Sequence, residues 1–358
     1  MNNKQTIIIC GGHITPAIAL IDVLKEKDVH IVFLGRKYAM EGRRVLSFEY
    51  ALIREKNIPF IPITAGRHTF PSVLKIPVGF FQAFWYCLTH RPSIIVSFGG
   101  YVAFPVAVAG WLLGIPVITH EQTLAPGLAN NIIARIAKRV CVTFPETVSH
   151  FPNGKAVYTG LPMRSELFTP VKKSPFPLSI EKYPLLYITG GGTGAHSLNQ
   201  LLFPIIPSLL KTYSIIHQTG EVSFPEAQKI HSDRYITAPN FSLPTVSWIF
   251  AHASLVLGRS GANTVMELAA LGKVAMLVPL PWSGGGEQEK NAQWLAKNGG
   301  AVVVQQSELT PKKIEDNIEN IQKNIEFLQV KASAFAKEIP RDGATKFVHE
   351  IQTILHEN

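Results

Sequence analysis

Cysteine is scarce in this chain: three in 358 residues, at Cys10, Cys87 and Cys141, with no paired spacing. Cys10 and Cys141 stand in apolar, strand-like runs and Cys87 in an aromatic helical stretch. That pattern excludes a disulfide framework and a thiolate metal centre, and it fits small buried side chains in a reducing compartment. No Asp-x-Asp pair and no His/Cys cluster offers a metal site, so no structural metal and no cofactor is expected. No apolar run approaches the roughly 20 residues of a membrane span. The few apolar residues between Lys4 and Gly11 are too short a stretch for a signal peptide. Charged residues make up only 16% of the chain against 46% hydrophobic, the composition of a compact α/β protein with ample core. The length implies about two domains.

Acidic residues are short in the first half above all. Residues 1–160 hold 16 Lys and Arg against 8 Asp and Glu, whereas residues 161–358 hold 18 against 17. A basic half points to an anionic partner, either nucleic acid or an anionic membrane face. With no nucleic-acid module and no aromatic–basic pattern of the RNA-binding kind, the membrane face is favoured.

What the chain does have is a series of glycine-rich turns, each between an apolar strand and a helix. The most informative stretch is Gly258 to Gln293. The strand-like run Ala253–Leu257 leads into Gly258-Arg259-Ser260-Gly261, then a helical pattern, Thr264 to Leu271, stopped by Gly272. A second apolar run, Val274–Val278, ends at Pro279, and a Gly-rich loop feeds another helix. This is the grammar of a parallel sheet, whose ligands bind beyond the carboxyl ends of the strands. Ser260 and Gly261 can present backbone N–H groups to an anion. Glu267, one turn into the helix, is an acceptor-only side chain suited to a pair of sugar hydroxyls. Glu287 and Gln288 open the next helix, where they can hold the sugar.

The other turns follow the same layout. Thr6–Cys10 reads as a strand, followed by Gly11-Gly12-His13-Ile14-Thr15-Pro16 and a helix through Leu24. His13 at the mouth of this loop leaves two readings open: a general base, since imidazole titrates near neutrality, or a helix cap and phosphate contact. Ser93–Ser97 is a strand closed by Phe98-Gly99-Gly100-Tyr101 and a helix from Val102 to Leu113; Tyr101 is either a cleft wall or core. Val117–Thr119 leads to the polar strand-end cluster His120-Glu121-Gln122-Thr123, read as a cleft feature or as a structural network. Asn130 and Asn131 begin a helix with a basic end (Arg135, Lys138, Arg139). Between these, Leu74 to Leu88 is an amphipathic stretch whose aromatics Phe80, Phe81, Phe84 and Trp85 are wider than one buried face requires. Core packing accounts for it, and so does a seat in lipid headgroups flanked by Arg67, Lys75 and Arg91. Lys37, Arg43 and Arg44 fall in a polar segment read as a solvated loop and short helix.

Thr159 to Arg164 precedes a proline-rich linker, Thr169–Pro184, the compositional break of the chain. Arg164 can form a fork to phosphate or carboxylate. Leu185–Thr189 opens a second sheet, and Gly190-Gly191-Gly192-Thr193-Gly194-Ala195 then enters a helix containing Ser197, Leu198 and Asn199. Four glycines in five residues before a helix form a phosphate cradle.

Taken in order, these motifs resemble the two-Rossmann-domain (GT-B) glycosyltransferases, and among them the MurG family. The resemblance covers nearly the whole chain: three glycine-rich loops and the Gly258–Gln293 segment in sequence. Departures are local. The family's first loop commonly reads Gly-Gly-Thr-Gly-Gly-His, three residues longer than Gly11-Gly12-His13. Thr123 stands where the family has Asn, Gly192 and Thr193 replace a Ser-Gln pair, and Gly160 to Arg164 stands for Gly-Asn-Pro-Val-Arg.

The resemblance implies an α/β GT-B fold of two doubly wound parallel-sheet domains facing across a cleft. Residues 1–163 would form the acceptor and membrane domain, with a helix at 342–358 packing back on it, and residues 164–341 the donor domain. It implies an inverting transfer of N-acetylglucosamine from UDP-N-acetylglucosamine to undecaprenyl-pyrophosphoryl-N-acetylmuramyl-pentapeptide, at the inner leaflet of the cytoplasmic membrane. In that scheme His13 is the base. Arg164, Gly190, Gly191, Gly192, Thr193, Gly194, Leu243, Ser260, Gly261, Glu267, Glu287 and Gln288 hold the donor, Leu243 near the uracil. Gly11, Gly12, Thr15, Gly99, Gly100, Tyr101, His120, Glu121, Thr123 and Asn130 hold the polyprenyl-diphosphate acceptor. Alternatives that share these motifs are a glycosyltransferase acting on another lipid such as diacylglycerol, a UDP-sugar 2-epimerase, and a non-enzymatic UDP-sugar-binding membrane module. A dehydrogenase is disfavoured, because neither sheet shows the dinucleotide fingerprint with its downstream acid.

Overall fold

Strands buried on both faces are joined in parallel through helices, and this chain repeats that connection from end to end. The structure, a computed structural model, describes residues 4–38, 46–66, 74–152, 154–177 and 182–357. It divides into two units, one of residues 1–164 with 341–358, the other of residues 165–340.

In the first unit the strands are β1 (Gln5–Cys10), β2 (Val29–Gly35), β3 (Phe60–Pro62), β4 (Ile94–Ser97), β5 (Val117–Glu121), β6 (Arg139–Val142) and β7 (Ala156–Tyr158). They form one parallel sheet in the order β3-β2-β1-β4-β5-β6-β7. Its helices are α1 (Ile14–Leu24), α2 (Phe48–Glu55), α3 (Lys75–His90), α4 (Gly100–Leu112) and α5 (Leu128–Ile136). Because side chains alternate along a strand, β1 splits its residues between two cores. Ile7 and Ile9 pack with Leu20 and Leu24 of α1; Ile8 and Cys10 pack with Ala83 and Cys87 of α3 and Val106 of α4. All three cysteines are buried and free. Burial raises their thiols, that of Cys87 to about 12, so they behave as small apolar residues.

The second unit carries β8 (Leu185–Thr189), β9 (Ser214–Gln218), β10 (Tyr235–Ala238), β11 (Ala253–Gly258), β12 (Ala275–Leu277) and β13 (Ala301–Val303). These are parallel in the order β10-β9-β8-β11-β12-β13. Its helices run α6 (His196–Leu202), α7 (Ile206–Leu209), α8 (Phe224–Ala227), α9 (Leu243–His252), α10 (Ala262–Leu271), α11 (Glu287–Asn298), α12 (Pro311–Lys323) and α13 (Ile325–Phe335). Gly272 stops α10 in the left-handed conformation that only glycine adopts without strain. Leu186 and Ile188 of β8, Leu198 and Leu202 of α6, and Ile314, Ile318 and Ile321 of α12 share a core.

The last helix, α14 (Gly343–Glu357), returns to the first unit, where Phe347, Val348, Ile351 and Ile354 join the core beside α1. Gly343 sits so close to the Leu161 backbone that a side chain there would collide with it.

Helix α3 corrects one expectation. Its seam is made of small residues, Gly79, Ala83 and Cys87, spaced one turn apart so that the helix lies close against its neighbours. That phase turns Phe80 and Phe84 partly inward, onto the core, and leaves Phe81 and Trp85 each 68% exposed. Only two of the four aromatics expected to face lipid therefore point fully outward. Arg67, Arg43 and Arg44 lie outside the described residues.

Candidate functional site

Ligands of open α/β sheets collect beyond the carboxyl ends of the strands, where the strand order reverses. In the first sheet that point lies between β1 and β4. Gly11 (φ +139°) turns the chain so tightly against the next loop that a methyl group there would lie 2.7 Å from the Phe98 carbonyl carbon. The Gly12 amide donates to the Gly99 carbonyl at 3.2 Å, joining the two glycine turns. His13, half-buried at the start of α1, places Nδ1 2.8 Å from the Phe98 carbonyl oxygen. A carbonyl can only accept, so Nδ1 carries a proton, and Nε2 is the ring nitrogen left to exchange one. Thr15 is half-buried in the first turn of α1. Tyr101 packs against the core and carries the Arg36 guanidinium over its ring, 5.2 Å from the centroid.

The strand-end cluster on β5 lies deeper than a ligand-facing role requires. His120, Glu121, Thr123 and Asn130 are all buried and bonded mainly within the unit. Glu121 Oε1 accepts from the Thr123 amide (2.8 Å), with the Thr123 hydroxyl 2.7 Å away, and Oε2 accepts from Asn130 Nδ2 (2.8 Å). His120 lies between the Phe98 and Phe347 rings with Nε2 3.3 Å from the Gly160 carbonyl. Burial above all pushes its pKa down to about 3, with the nearby His13 contributing, so it stays neutral. The Gly99 α-carbon rests on the Asn130 amide with no room for a side chain. Of the four, Asn130 is the one that meets the Gly99 turn, and Glu121 and Thr123 hold Asn130 in place.

In the second sheet the order reverses between β8 and β11. Gly190 and Gly191, followed by Gly192, Thr193 and Gly194, make a single helical turn before α6; the Thr193 side chain lies outside the described residues. The Gly191 amide donates to Thr189 Oγ1 (3.0 Å), and Gln218 Nε2 donates to the Gly191 carbonyl (3.0 Å). Gly192 is exposed with open space around its α-carbon, whereas Gly194 (φ +76°) is pressed onto Thr219 and Gly220.

Across the reversal, Gly258 abuts the Thr189 carbonyl and Gly261 starts α10 with open space before it. Ser260 is fully buried; its hydroxyl donates to the Gln288 carbonyl (2.8 Å) and its own carbonyl accepts from Asn291 Nδ2 (3.2 Å). Gln288 Oε1 in turn accepts from the Leu280 amide (3.1 Å). The Ser260 hydroxyl and the Gln288 Oε1 thus fasten the head of α11 to the turn, while Gln288 itself stays half-buried. Glu267 and Glu287 are half-buried, and Glu267 lies near enough to Tyr187 to add to the upward shift that burial causes in that phenol. Leu243 is half-buried at the first position of α9, and Arg164 closes the first unit with a buried Nε that has no hydrogen-bond partner.

Four residues given no role from the sequence prove central here: Arg259, Asn199, His217 and Gln218. Arg259 is buried, donates to the Val278 carbonyl (3.1 Å) and to Ser197 Oγ (2.9 Å), and so ties three strand-end segments together. Burial lowers its pKa to about 10, which leaves it cationic at neutral pH. An arginine inside a Gly-x-x-Gly strand-to-helix turn was the available signal.

Comparison with known proteins agrees with this arrangement. The glycosyltransferase family 28 N-terminal domain matches residues 7–142, and the family 28 C-terminal domain matches residues 185–347. A UDP-N-acetylglucosamine–N-acetylmuramyl-(pentapeptide) pyrophosphoryl-undecaprenol N-acetylglucosamine transferase from Psychromonas ingrahamii is 35% identical over 329 residues, 88% of this chain and 89% of that protein. The enzyme of the same name from Clostridium kluyveri is 32% identical over 365 residues, 98% of this chain and 99% of its own. The crystal structure of Acinetobacter baumannii MurG superposes with a TM-score of 0.76 at 28% identity, covering 98% of this chain and 99% of that one. A putative UDP-N-acetylglucosamine 2-epimerase from Listeria monocytogenes (TM-score 0.70, 13% identity, 99% and 98% covered) shares the fold alone. Two parallel-sheet α/β domains of GT-B type, matched in order by both halves of one family and by relatives spanning nearly the whole chain, make this protein a member of glycosyltransferase family 28, in its MurG branch.

Proposed function

We propose that the protein moves N-acetylglucosamine from UDP-N-acetylglucosamine to undecaprenyl-pyrophosphoryl-N-acetylmuramyl-pentapeptide, the lipid I to lipid II step of peptidoglycan synthesis. The observation that carries the chemistry is His13: with Nδ1–H committed to the Phe98 carbonyl, Nε2 is the basic atom. Nε2 takes the proton of the acceptor hydroxyl, its oxygen forms the bond to the anomeric carbon, and the bond from that carbon to the diphosphate oxygen breaks. UDP leaves with the electron pair, and the anomeric centre inverts. The joined turns at Gly11–Gly12 and Gly99–Gly100 receive the acceptor diphosphate. Amides of Gly190 to Gly194 and of Gly261, with Arg164, receive that of the donor; Glu267, Glu287 and Gln288 hold the sugar and Leu243 the uracil. Fixed amide donors stabilise the departing diphosphate, so the proposal includes no resident metal.

We also place the first unit on an anionic membrane face. No helix among the described residues is long and apolar enough to cross a membrane. Helix α3 presents Val78, Phe81, Trp85 and Leu88 on one exposed stripe, with Lys75 at its start and Arg91 just past its end. An apolar stripe with basic flanks seats in the headgroup region of anionic lipid.

The test is turnover by the purified protein with labelled UDP-N-acetylglucosamine and the lipid-linked acceptor in vesicles. Lipid II and UDP should appear together, and His13→Ala should lower kcat by about 10²–10⁴ while UDP affinity holds. Epimer formation without acceptor, transfer only to diacylglycerol, or UDP binding with no turnover would each overturn the assignment.

A further inference from the structure

Behind the Gly190–Gly194 loop runs a line of polar side chains with no access to solvent. Asn199 Nδ2 donates to the Thr219 carbonyl at 2.8 Å, which turns Asn199 Oδ1 toward His217 Nε2 at 3.1 Å. An amide oxygen only accepts, so Nε2 carries the imidazole proton and Nδ1 the lone pair. The Tyr235 hydroxyl, 2.9 Å from Nδ1, must then donate to it. Because the line ends on a backbone carbonyl, every proton along it has one direction: Tyr235 to His217, His217 to Asn199, Asn199 to Thr219. Burial also pushes the His217 pKa down to about 3, so the ring holds one protonation state over any working pH.

The end of the line is what gives it a use. Thr219 and Gly220 form the surface on which Gly194 rests: a methyl group at Gly194 would lie 2.7 Å from the Thr219 oxygen and 2.8 Å from the Gly220 α-carbon. A second, parallel line runs from the Tyr187 hydroxyl to Gln218 Oε1 (3.2 Å) and from Gln218 Nε2 to the Gly191 carbonyl. Both lines leave β9 and reach opposite ends of one glycine loop. We propose that Tyr235, His217 and Asn199 are positioning residues for donor binding, a one-way hydrogen-bond relay that fixes the Thr219–Gly220 turn and thereby aims the Gly190–Gly194 amides. The inference rests on the reading of that loop as the donor cradle, and preorganised amides are worth more to an anion than mobile ones.

Tyr235→Phe removes one hydroxyl and nothing else. In the full-length protein it should raise the Kd for UDP and the KM for UDP-N-acetylglucosamine about three- to tenfold, the equivalent of one hydrogen bond, with kcat and the acceptor KM within about twofold. Imidazole 15N spectra should show His217 Nδ1 unprotonated in the wild type and a tautomer mixture in the variant. The control is Tyr213→Phe, which removes an equal bond in the same unit (Tyr213 hydroxyl to Gln322 Oε1, 2.8 Å) far from the loop, and should leave UDP affinity unchanged. His217→Gln provides a second lesion of the relay and should weaken UDP at least as much as Tyr235→Phe. Wild-type UDP affinity in Tyr235→Phe and His217→Gln would overturn the relay alone, as would an equal loss of affinity in Tyr213→Phe. A wild-type protein that binds no UDP would overturn the donor cradle and the relay with it.

Discussion

Gly194→Ala is the sharpest test of how the donor loop is held. Gly194 has φ +76° and ψ 179°, a region open essentially to glycine alone, and forcing alanine there costs about 1–3 kcal/mol. The added methyl group would also meet the Thr219 oxygen and the Gly220 α-carbon at 2.7 and 2.8 Å. Both are backbone atoms that cannot rotate aside, so overpacking brings the total to about 2–5 kcal/mol. For a unit of this size that corresponds to a fall of roughly 4–20 °C in its melting temperature. If the loop shifts to relieve the clash, the cost reappears as weakened UDP binding, because the Gly191 to Gly194 amides move with it. Calorimetric melts with and without UDP read both, since a ligand raises the transition only of the unit it binds. Gly192→Ala is the internal comparison: its α-carbon faces open space, so its melting should stay within the effect of an ordinary surface change, about 0.5 kcal/mol. A Gly194→Ala protein that melts and binds UDP like the wild type would refute this account of the loop.

Replacing Phe81 and Trp85 together by serine should leave stability within about 0.5 kcal/mol, since both side chains are exposed. Sedimentation with anionic vesicles should nevertheless show binding reduced roughly 10²-fold, from about 1.5 kcal/mol lost per aromatic, and undiminished vesicle binding would contradict the proposed orientation. Glu121→Gln puts an NH2 group where Oε1 or Oε2 now accepts, so one donor in the cluster faces another; urea unfolding should show about 1–3 kcal/mol of lost stability. The two buried histidines set a pH dependence. His120 and His217 have folded-state pKa values near 3 against an ordinary 6.5, so below 6.5 the unfolded chain binds protons the folded chain refuses. Their contribution is complete above pH 6.5 and is lost as pH falls toward 3, by about 1.4 kcal/mol per pH unit for each histidine. Urea midpoints at pH 7.5 and 5.5 measure it, and His217→Gln should flatten the slope in the second unit.

The central strands, β1, β4, β5, β8 and β11, were legible because burial on both faces makes them read as apolar runs, and the glycine turns marked where most of these runs hand over to a helix. The return of α14 to the first unit follows from the resemblance rather than the pattern: a stripe at Phe347, Ile351 and Ile354 says that the helix has a partner but not which one. Other features were hidden for physical reasons. A polar cluster at a strand end looks the same in sequence whether its side chains are free or bonded to one another, and here the Glu121 carboxylate is taken up by Thr123 and Asn130. In α3 the bulky residues drew attention, yet the small ones, Gly79, Ala83 and Cys87, fixed which way the helix turns. Asn199 stood in the sequence only as part of the third glycine-rich motif and His217 gave no signal, since their meaning lies in hydrogen-bond directions set by Thr219 and by each other.

The two sheets solve one problem in the same way. A loop that offers amides to an anion needs to be held in place, and in both sheets part of that support comes from neighbouring segments as well as from bonds inside the loop. In the first unit that support is the Phe98 carbonyl for His13 and the Asn130–Glu121 pair for the Gly99 turn. In the second it is Gln218 for Gly191 and Asn199, by way of Thr219, for Gly194. The same logic bears on the first loop, which is three residues shorter than the family pattern. His13 is oriented by β4, not by the length of its own turn, so losing glycines from that turn leaves the Nδ1 bond and the basic Nε2 as they are. Shortening should therefore be felt in the grip on the acceptor diphosphate and not in proton transfer.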